Sequence, residues 1–223
     1  MKGERAYLDE LTRRLKALLG DELVGVYAGG SYALGGYEPG RSDLDVAAVV
    51  REGLPEGMAE QIIAAVRHEA LPSPARKLEL VIYDAEAARS ASVEPGFELN
   101  LNTGADEFRA DLEPRPGEGH WFAIDRSVLA GHGVALAGPP ANEVFASPPR
   151  DDLLPVLADV LRWYLREEPD SEDAMLNAGR SLRFAHEGVW APKPALREWA
   201  REQTGTRREV ERAIAELEDG LAG

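Results

Sequence analysis

The pattern of apolar and polar positions predicts a helix at the start of the chain and strands after it. Residues 1–20 carry leucines at helical spacing within a charged background, which predicts an amphipathic helix. Short apolar runs then predict strands at Leu23–Ala28, Leu44–Val50 and 78–83, because runs of this length rich in Val, Leu and Ile are typical of interior strands. Between the second and third runs, residues 56–69 repeat apolar positions with helical period. This alternation of elements favours an α/β sheet domain.

The pattern changes after the third strand. A fourth strand is expected at 97–101, whereas residues 106–119 are rich in Pro, Gly and acid and predict an exposed loop. Beyond the Pro148-Pro149 step only helical patterns follow, at residues 151–166, 171–187, 194–203 and 206–221. The sequence therefore predicts an α+β protein, with an N-terminal α/β domain built on a mixed sheet (1–147) and an all-helical C-terminal domain (148–223).

The charge balance narrows the class of partner. Forty acidic residues against 25 basic ones give a formal net charge of -15. Such a surface repels phosphate backbones, so no nucleic-acid partner is expected, and it attracts cations. Neither a membrane-length apolar run nor an apolar secretory segment is present, so the protein is expected to be cytoplasmic and away from membranes. A solubilising role for the charge alone is the competing interpretation.

Residue counts also exclude some metal chemistry. The chain has no cysteine, which excludes disulfides, thiolate zinc sites and cysteine nucleophiles. None of its four histidines stands four residues from another, so a histidine-based zinc site is not expected. Any metal site is therefore expected to use carboxylates.

Three features in order suggest such a site. Gly30 and Ser31 directly follow the first strand, Asp43 and Asp45 open the second, and Glu79 lies within the third. Residues i and i+2 of a strand share a face, so the two aspartates are expected to present carboxylates side by side. Mg²⁺ relieves such repulsion and prefers carboxylate and phosphate oxygens. The glycine would let the turn approach a triphosphate and the serine would donate a hydrogen bond to it, while the glutamate could bind metal or accept a proton.

Each feature has a plainer interpretation by itself. An Asp-x-Asp occurs often by chance in so acidic a chain, and Gly-Gly-Ser is more often a flexible turn. Glu79 could face solvent on an edge strand. The order and spacing of the three features together are what favour a metal-dependent site.

The same residues resemble a known signature. The stretch 27–31 together with 42–45 is similar to that of the DNA polymerase β-like nucleotidyltransferase superfamily. More narrowly, the chain resembles the aminoglycoside adenylyltransferases that modify streptomycin and spectinomycin. Residues 133–139, with Phe145 and 151–154, resemble that family's link into its helical domain. Residues 179–182, with Gly188 and 191–193, resemble its ATP-contacting segment.

The resemblance implies a role for each matching residue. Asp43 and Asp45 would bind Mg²⁺, and Glu79 would be the catalytic base. The triphosphate of ATP would be contacted by four further residues, namely Ser31, Ser42, Arg180 and Lys193. On the acceptor side, the family's Trp and Asp are matched by Trp163 and Asp170 at a different spacing, and the aromatic residue expected after the fourth strand is replaced by residues 102–105, which include none.

The implied reaction is transfer of AMP from ATP to a hydroxyl of a small cationic, aminoglycoside-like acceptor, releasing pyrophosphate. Two alternatives stay open at this point. The acceptor could be a protein or an RNA, or the chain could be a non-catalytic, antitoxin-like nucleotide-binding protein. A monomer is favoured.

Overall fold

The computed structural model describes most of the chain: residues 2–94, 96–115, 120–169, 171–192, 195–196 and 206–219. These residues form two compact units. The first consists of described residues within 1–90, 95–116 and 125–147, and the second of those within 91–94, 117–124 and 148–223.

The first unit is built on a six-stranded mixed sheet. Its strands, in chain order, are β1 (Leu23–Ala28), β2 (Leu44–Val50), β3 (Lys77–Asp84), β4 (Leu99–Gly104), β5 (Phe108–Asp111) and β6 (Val134–Ala137). Across the sheet their order is β5-β4-β3-β2-β1-β6. Only β2 and β3 run parallel, and the other neighbouring pairs are antiparallel. Both central strands, β2 and β3, thus begin at the same edge of the sheet.

Helices are interspersed with the strands along the chain as far as β6, and the described elements after β6 include helices but no further strand. They are α1 (Lys2–Leu19), α2 (Gly30–Ala33), α3 (Met58–Val66), α4 (Ala85–Arg89), α5 (His120–His132), α6 (Arg150–Glu167), α7 (Glu172–Glu187) and α8 (Thr206–Asp219). Within the second unit, α6, α7 and α8 pack against one another. None of the helices described is long and apolar enough to cross a membrane.

The core of the first unit explains why its strands could be predicted. Leu8, Leu11 and Leu15 of α1 are fully buried, as their helical spacing requires of one face. They join a core cluster with apolar residues of the central strands, among them Leu44 and Leu80. Burial of alternate or continuous apolar positions is what fixes β2 and β3 in the middle of the sheet.

The predicted α+β class with a mixed sheet is confirmed. The prediction of a loop over 106–119 was wrong in part, because Phe108–Asp111 forms the strand β5. Three helices were also missed: α2 lies in the predicted glycine-rich turn, α4 directly follows β3, and α5 precedes β6. The helix predicted over 194–203 lies outside the described residues except at 195–196.

Candidate active site

Asp45 and Glu79 are cross-strand neighbours. β2 and β3 pair in parallel register, which sets Asp45 directly beside Glu79. Their side chains are hydrogen-bonded to each other. Both residues are partly buried, whereas the flanking Leu44, Leu78 and Leu80 are fully buried on the core side. Alternation along the two strands therefore directs both acids away from the core and toward a shared position.

The surroundings of Asp45 carry an excess of negative charge. Burial raises the pKa of its carboxyl well above the usual range, and the nearby acids Glu79, Asp125 and Asp43 raise that pKa further. A buried carboxyl among carboxylates keeps its charge only at a cost in free energy. A cation bound at this position would remove that cost.

Asp43 is paired with an arginine. β2 begins at Leu44, so Asp43 precedes the strand instead of sharing its ladder with Asp45. Its carboxylate accepts two hydrogen bonds from Arg76, from Nε to Oδ1 at 2.8 Å and from Nη2 to Oδ2 at 2.6 Å. The Arg76 side chain is 61% exposed and that of Asp43 is 14% exposed. The two aspartates are close enough that Asp43 raises the pKa of the Asp45 carboxyl.

Lys77 is the cation next to Glu79. Its Nζ lies 2.8 Å from Oε1 of Glu79 and 3.1 Å from Oε1 of Glu107. Burial of Lys77 opposes its charge, but Glu79, Glu107 and Asp43 outweigh burial and raise the pKa of the ammonium overall. Lys77 therefore stays charged and holds the Glu79 carboxylate in place.

The turn after β1 packs directly on Asp45. The Gly29 amide donates a hydrogen bond to the Asp45 carbonyl oxygen at 2.8 Å. Gly30 has φ +48°, a conformation that favours glycine, and a Cβ at this position would overlap Oδ2 of Asp45. The hydroxyl of Ser31 is buried and has no hydrogen-bond partner among the described residues. A buried hydroxyl without a partner is unusual and fits a ligand contact.

Ser42 helps to shape the loop before β2. The Glu38 amide donates to the Ser42 hydroxyl at 3.0 Å, and the Arg76 amide donates to the Ser42 carbonyl at 3.3 Å. The hydroxyl still has a proton to donate, so its expected contact with a triphosphate stays a prediction.

The remaining predicted residues belong to the helical part. Arg180 is half-buried on α7. Trp163, on α6, is half-buried and makes edge contacts with two rings, Trp121 at 5.6 Å and Tyr164 at 5.1 Å between centroids. The Tyr164 hydroxyl accepts a hydrogen bond from Asn177 Nδ2 at 3.0 Å. Lys193 and Asp170 lie outside the described residues.

Carboxylate oxygens are the donors that Mg²⁺ prefers, so the residues at the sheet edge fit this ion. The excess negative charge around Asp45 fits it as well. Within the described parts of the chain, no three His, Asp or Glu side chains are grouped as a complete metal site. Both oxygens of Asp43 are instead bonded to Arg76.

Three of the charged groups at this site were not singled out from the sequence. Arg76 and Lys77 stand immediately before Leu78. Two basic residues at the start of a strand that carries an acid indicate, though weakly, that cations lie near the site. Asp125 lies on α5, a helix that the sequence analysis did not predict, so nothing indicated that it would approach Asp45.

The comparisons with known proteins agree with this geometry. Residues 8–97 match the family model of the nucleotidyltransferase domain, a range that contains β1, β2, β3 and all three predicted acids. This match supports an enzyme of the nucleotidyltransferase class. No curated protein matches the chain.

Among solved structures, the chain is similar to the spectinomycin adenyltransferase AAD(9) from Enterococcus faecialis, determined with ATP and spectinomycin. The match covers 98% of this chain and 99% of that chain, with a TM-score of 0.65 and 18% sequence identity, so it bears on the fold. A tri-AMPylated HEPN toxin of Shewanella oneidensis in complex with the MNT antitoxin matches at 12% identity, over 77% of this chain and 98% of that chain, with a TM-score of 0.33. That TM-score is too low to support an argument.

Proposed function

We propose that the protein is a Mg²⁺-dependent adenylyltransferase that transfers AMP from ATP to a hydroxyl of a small cationic, aminoglycoside-like acceptor. The observation that carries the proposal is the Asp45–Glu79 pair on neighbouring parallel strands, with the Gly30–Ser31 turn packed on Asp45. This arrangement supports Glu79 as the proposed proton acceptor, Asp45 as the proposed cation-binding carboxylate and the turn after β1 as the proposed phosphate contact.

Binding of the nucleotide is proposed for the turn after β1. The buried Ser31 hydroxyl has no described partner and would donate a hydrogen bond to a phosphate oxygen. Gly30 leaves no side chain between the backbone and the approaching phosphate. Ser42, Arg180 and Lys193 are proposed as further phosphate contacts, since phosphate oxygens are best matched by hydroxyl and cationic donors.

Asp43 and Asp45 are the residues proposed to hold Mg²⁺. When bound, the ion would neutralise phosphate charge and favour the in-line displacement. For Asp43 to contribute, its carboxylate must share or exchange the two hydrogen bonds that it accepts from Arg76.

Glu79 is proposed to accept the proton of the acceptor hydroxyl. The hydroxyl oxygen forms a bond to the α-phosphorus as the bond from that phosphorus to the oxygen bridging the α- and β-phosphates breaks. Pyrophosphate leaves with the electron pair of the broken bond, and the proton passes to a carboxylate oxygen of Glu79. Lys77, 2.8 Å from Glu79, orients that carboxylate.

The acceptor class rests on two supports. The AAD(9) structure, whose fold this chain matches over nearly its full length, is of an adenyltransferase with ATP and spectinomycin. The net charge of -15 favours a cationic molecule near the protein. Trp163 is proposed as an acceptor contact because its half-buried ring leaves an apolar edge accessible on α6, and Asp170 is proposed as a second one.

The test is pyrophosphate release from Mg-ATP by the full chain, with and without a panel that includes spectinomycin and streptomycin. Stimulation by one aminoglycoside, with an AMP-modified product seen by mass spectrometry, supports the proposal. ATP binding without stimulation by any panel member would reject this acceptor class and favour a protein acceptor. Failure to bind ATP would reject the enzymatic proposal and favour a non-catalytic partner protein.

A further inference from the structure

We propose that Arg76 competes with the divalent metal for Asp43, so that metal and nucleotide bind together instead of the metal binding first. This inference rests on the proposed function, because it concerns how the same site acquires its metal. It assigns Arg76 as a positioning residue.

The pairing between Arg76 and Asp43 is close and directional. Two parallel hydrogen bonds of 2.8 and 2.6 Å join the guanidinium to both carboxylate oxygens. The Arg76 amide also donates to the Ser42 carbonyl, one residue before Asp43. The backbone of Arg76 is thus held next to the residue before Asp43. Arg76 directly precedes β3 and Asp43 directly precedes β2, so the side chain spans the starts of two neighbouring strands.

The exposure of the two partners differs. The Asp43 side chain is 14% exposed, whereas 61% of the Arg76 side chain is exposed. The guanidinium can therefore leave Asp43 by side-chain rotation into solvent, without any change in the strands. Lys77, at 14% exposure and bonded to both Glu79 and Glu107, has no such freedom.

Charge explains the competition. A bidentate guanidinium occupies both oxygens of Asp43 and adds a positive charge at the position where a divalent cation would bind. The metal alone must overcome that repulsion. A nucleotide triphosphate brings phosphate oxygens that offer the guanidinium an alternative bidentate partner, so Arg76 can release Asp43 as the metal arrives.

The experiment compares Arg76→Gln with Arg13→Gln in the full chain. Arg13 is a matched control, because it is also an exposed arginine with two hydrogen bonds to one acid, Glu10, but lies on α1. Mn²⁺ is used as the probe, and its binding is followed by electron paramagnetic resonance, first without nucleotide and then with a non-hydrolysable ATP analogue.

Without nucleotide, we expect Arg76→Gln to bind Mn²⁺ roughly 3- to 10-fold more tightly than the wild type, the range given by one partly exposed charge pair. Arg13→Gln should match the wild type. With the analogue present, the wild-type chain should gain more Mn²⁺ affinity than Arg76→Gln gains, because only the wild type has an arginine to release.

Two results would overturn the inference. Equal or weaker Mn²⁺ binding by Arg76→Gln without nucleotide, while all three proteins bind Mn²⁺ with the analogue, rejects the role of Arg76 and leaves the proposed function intact. Absence of Mn²⁺ binding by the wild type even with the analogue rejects both. If Arg76→Gln lowers the melting temperature strongly, Arg76→Met provides the same comparison, because methionine keeps an unbranched side chain and carries no charge.

Discussion

Gly30 leaves room for the carboxylate of Asp45. Its φ is +48°, and a Cβ added to it would overlap Oδ2 of Asp45 and lie 3.0 Å from the Asp45 Cβ. The preceding residue, Gly29, donates its amide proton to the Asp45 carbonyl. The turn after β1 and the start of β2 therefore fit together, so the position of this turn depends on the rotamer of Asp45.

Gly30→Ala should destabilise the protein through this contact. The variant meets both an unfavourable φ and a clash with Asp45, so we expect a loss of about 2–4 kcal/mol in the free energy of unfolding. Chemical denaturation followed by circular dichroism measures it. Gly35→Ala is the control, because Gly35 has φ +73° with no atom within 4 Å of an added Cβ. Its loss should be about 1–2 kcal/mol, from backbone strain alone. Equal losses in the two variants would show that the Asp45 contact contributes nothing.

The parts of the site that lie on apolar strands could be predicted from the sequence, whereas contacts of exposed side chains could not. β1 and β2 were predicted at their observed bounds, because each is a continuous apolar run that must be buried. The neighbouring positions of Asp45 and Glu79 follow from those runs. The pairing of Asp43 with Arg76 could not be predicted, because it depends on the rotamer of an exposed side chain.

Asp45→Asn should stabilise the protein in the absence of divalent metal. The substitution removes a charge from a partly buried position surrounded by Glu79, Asp125 and Asp43, so we expect a gain of about 1 kcal/mol. Melting temperature in the presence of a chelator measures it. Asp43→Asn is the matched comparison and should give a small loss of about 0–1 kcal/mol, since it weakens an ion pair whose arginine is largely exposed. A lower melting temperature for Asp45→Asn would contradict the view that this carboxylate is held at a cost.

Glu79→Gln should abolish turnover while nucleotide binding persists. The amide keeps the shape of the side chain but cannot accept the hydroxyl proton, so we expect a fall of about 10²- to 10⁴-fold in kcat. Pyrophosphate release gives the rate, and calorimetry with a non-hydrolysable ATP analogue gives the affinity. Glu107→Gln is the control, because Glu107 shares Lys77 with Glu79 but is not assigned to proton transfer. Full activity in Glu79→Gln would reject Glu79 as the base.

The helix α5 and the strand β5 were missed because their burial does not follow a simple period. On α5, the buried residues Phe122 to Ile124 and Arg126 to Leu129 cover more than one face, so no single apolar stripe appears in the sequence. β5 is an edge strand with an exposed Phe108, and it is held by pairing with β4 instead of by burial. Patterns of apolar residues indicate buried faces, and neither element presents one in the usual way.

Arg126→Leu should destabilise the first unit. Arg126 is 1% exposed, and its Nη1 donates to the carbonyls of Ala87 at 2.8 Å and Ser90 at 3.3 Å. Removal of this buried donor should cost about 2–4 kcal/mol, because two carbonyls of the α4 region lose a charged partner. Arg51→Leu is the control, since Arg51 makes one exposed hydrogen bond, to the Asp21 carbonyl, and should change stability by less than about 0.5 kcal/mol. Similar losses in both variants would mean that Arg126 does not stabilise the α4 region.

Trp163→Leu tests the acceptor side of the proposal separately from the nucleotide side. The Trp163 ring packs edge-on against Trp121 and Tyr164, so the variant is expected to lose some stability whatever its role. If Trp163 also contacts the acceptor, the KM for the aminoglycoside should rise by about 10-fold or more, while the affinity for the ATP analogue stays at the wild-type value. Trp163→Phe keeps an aromatic face and should recover much of the acceptor KM. An unchanged acceptor KM in a folded Trp163→Leu protein would assign Trp163 to packing alone and leave the acceptor contacts to be sought elsewhere.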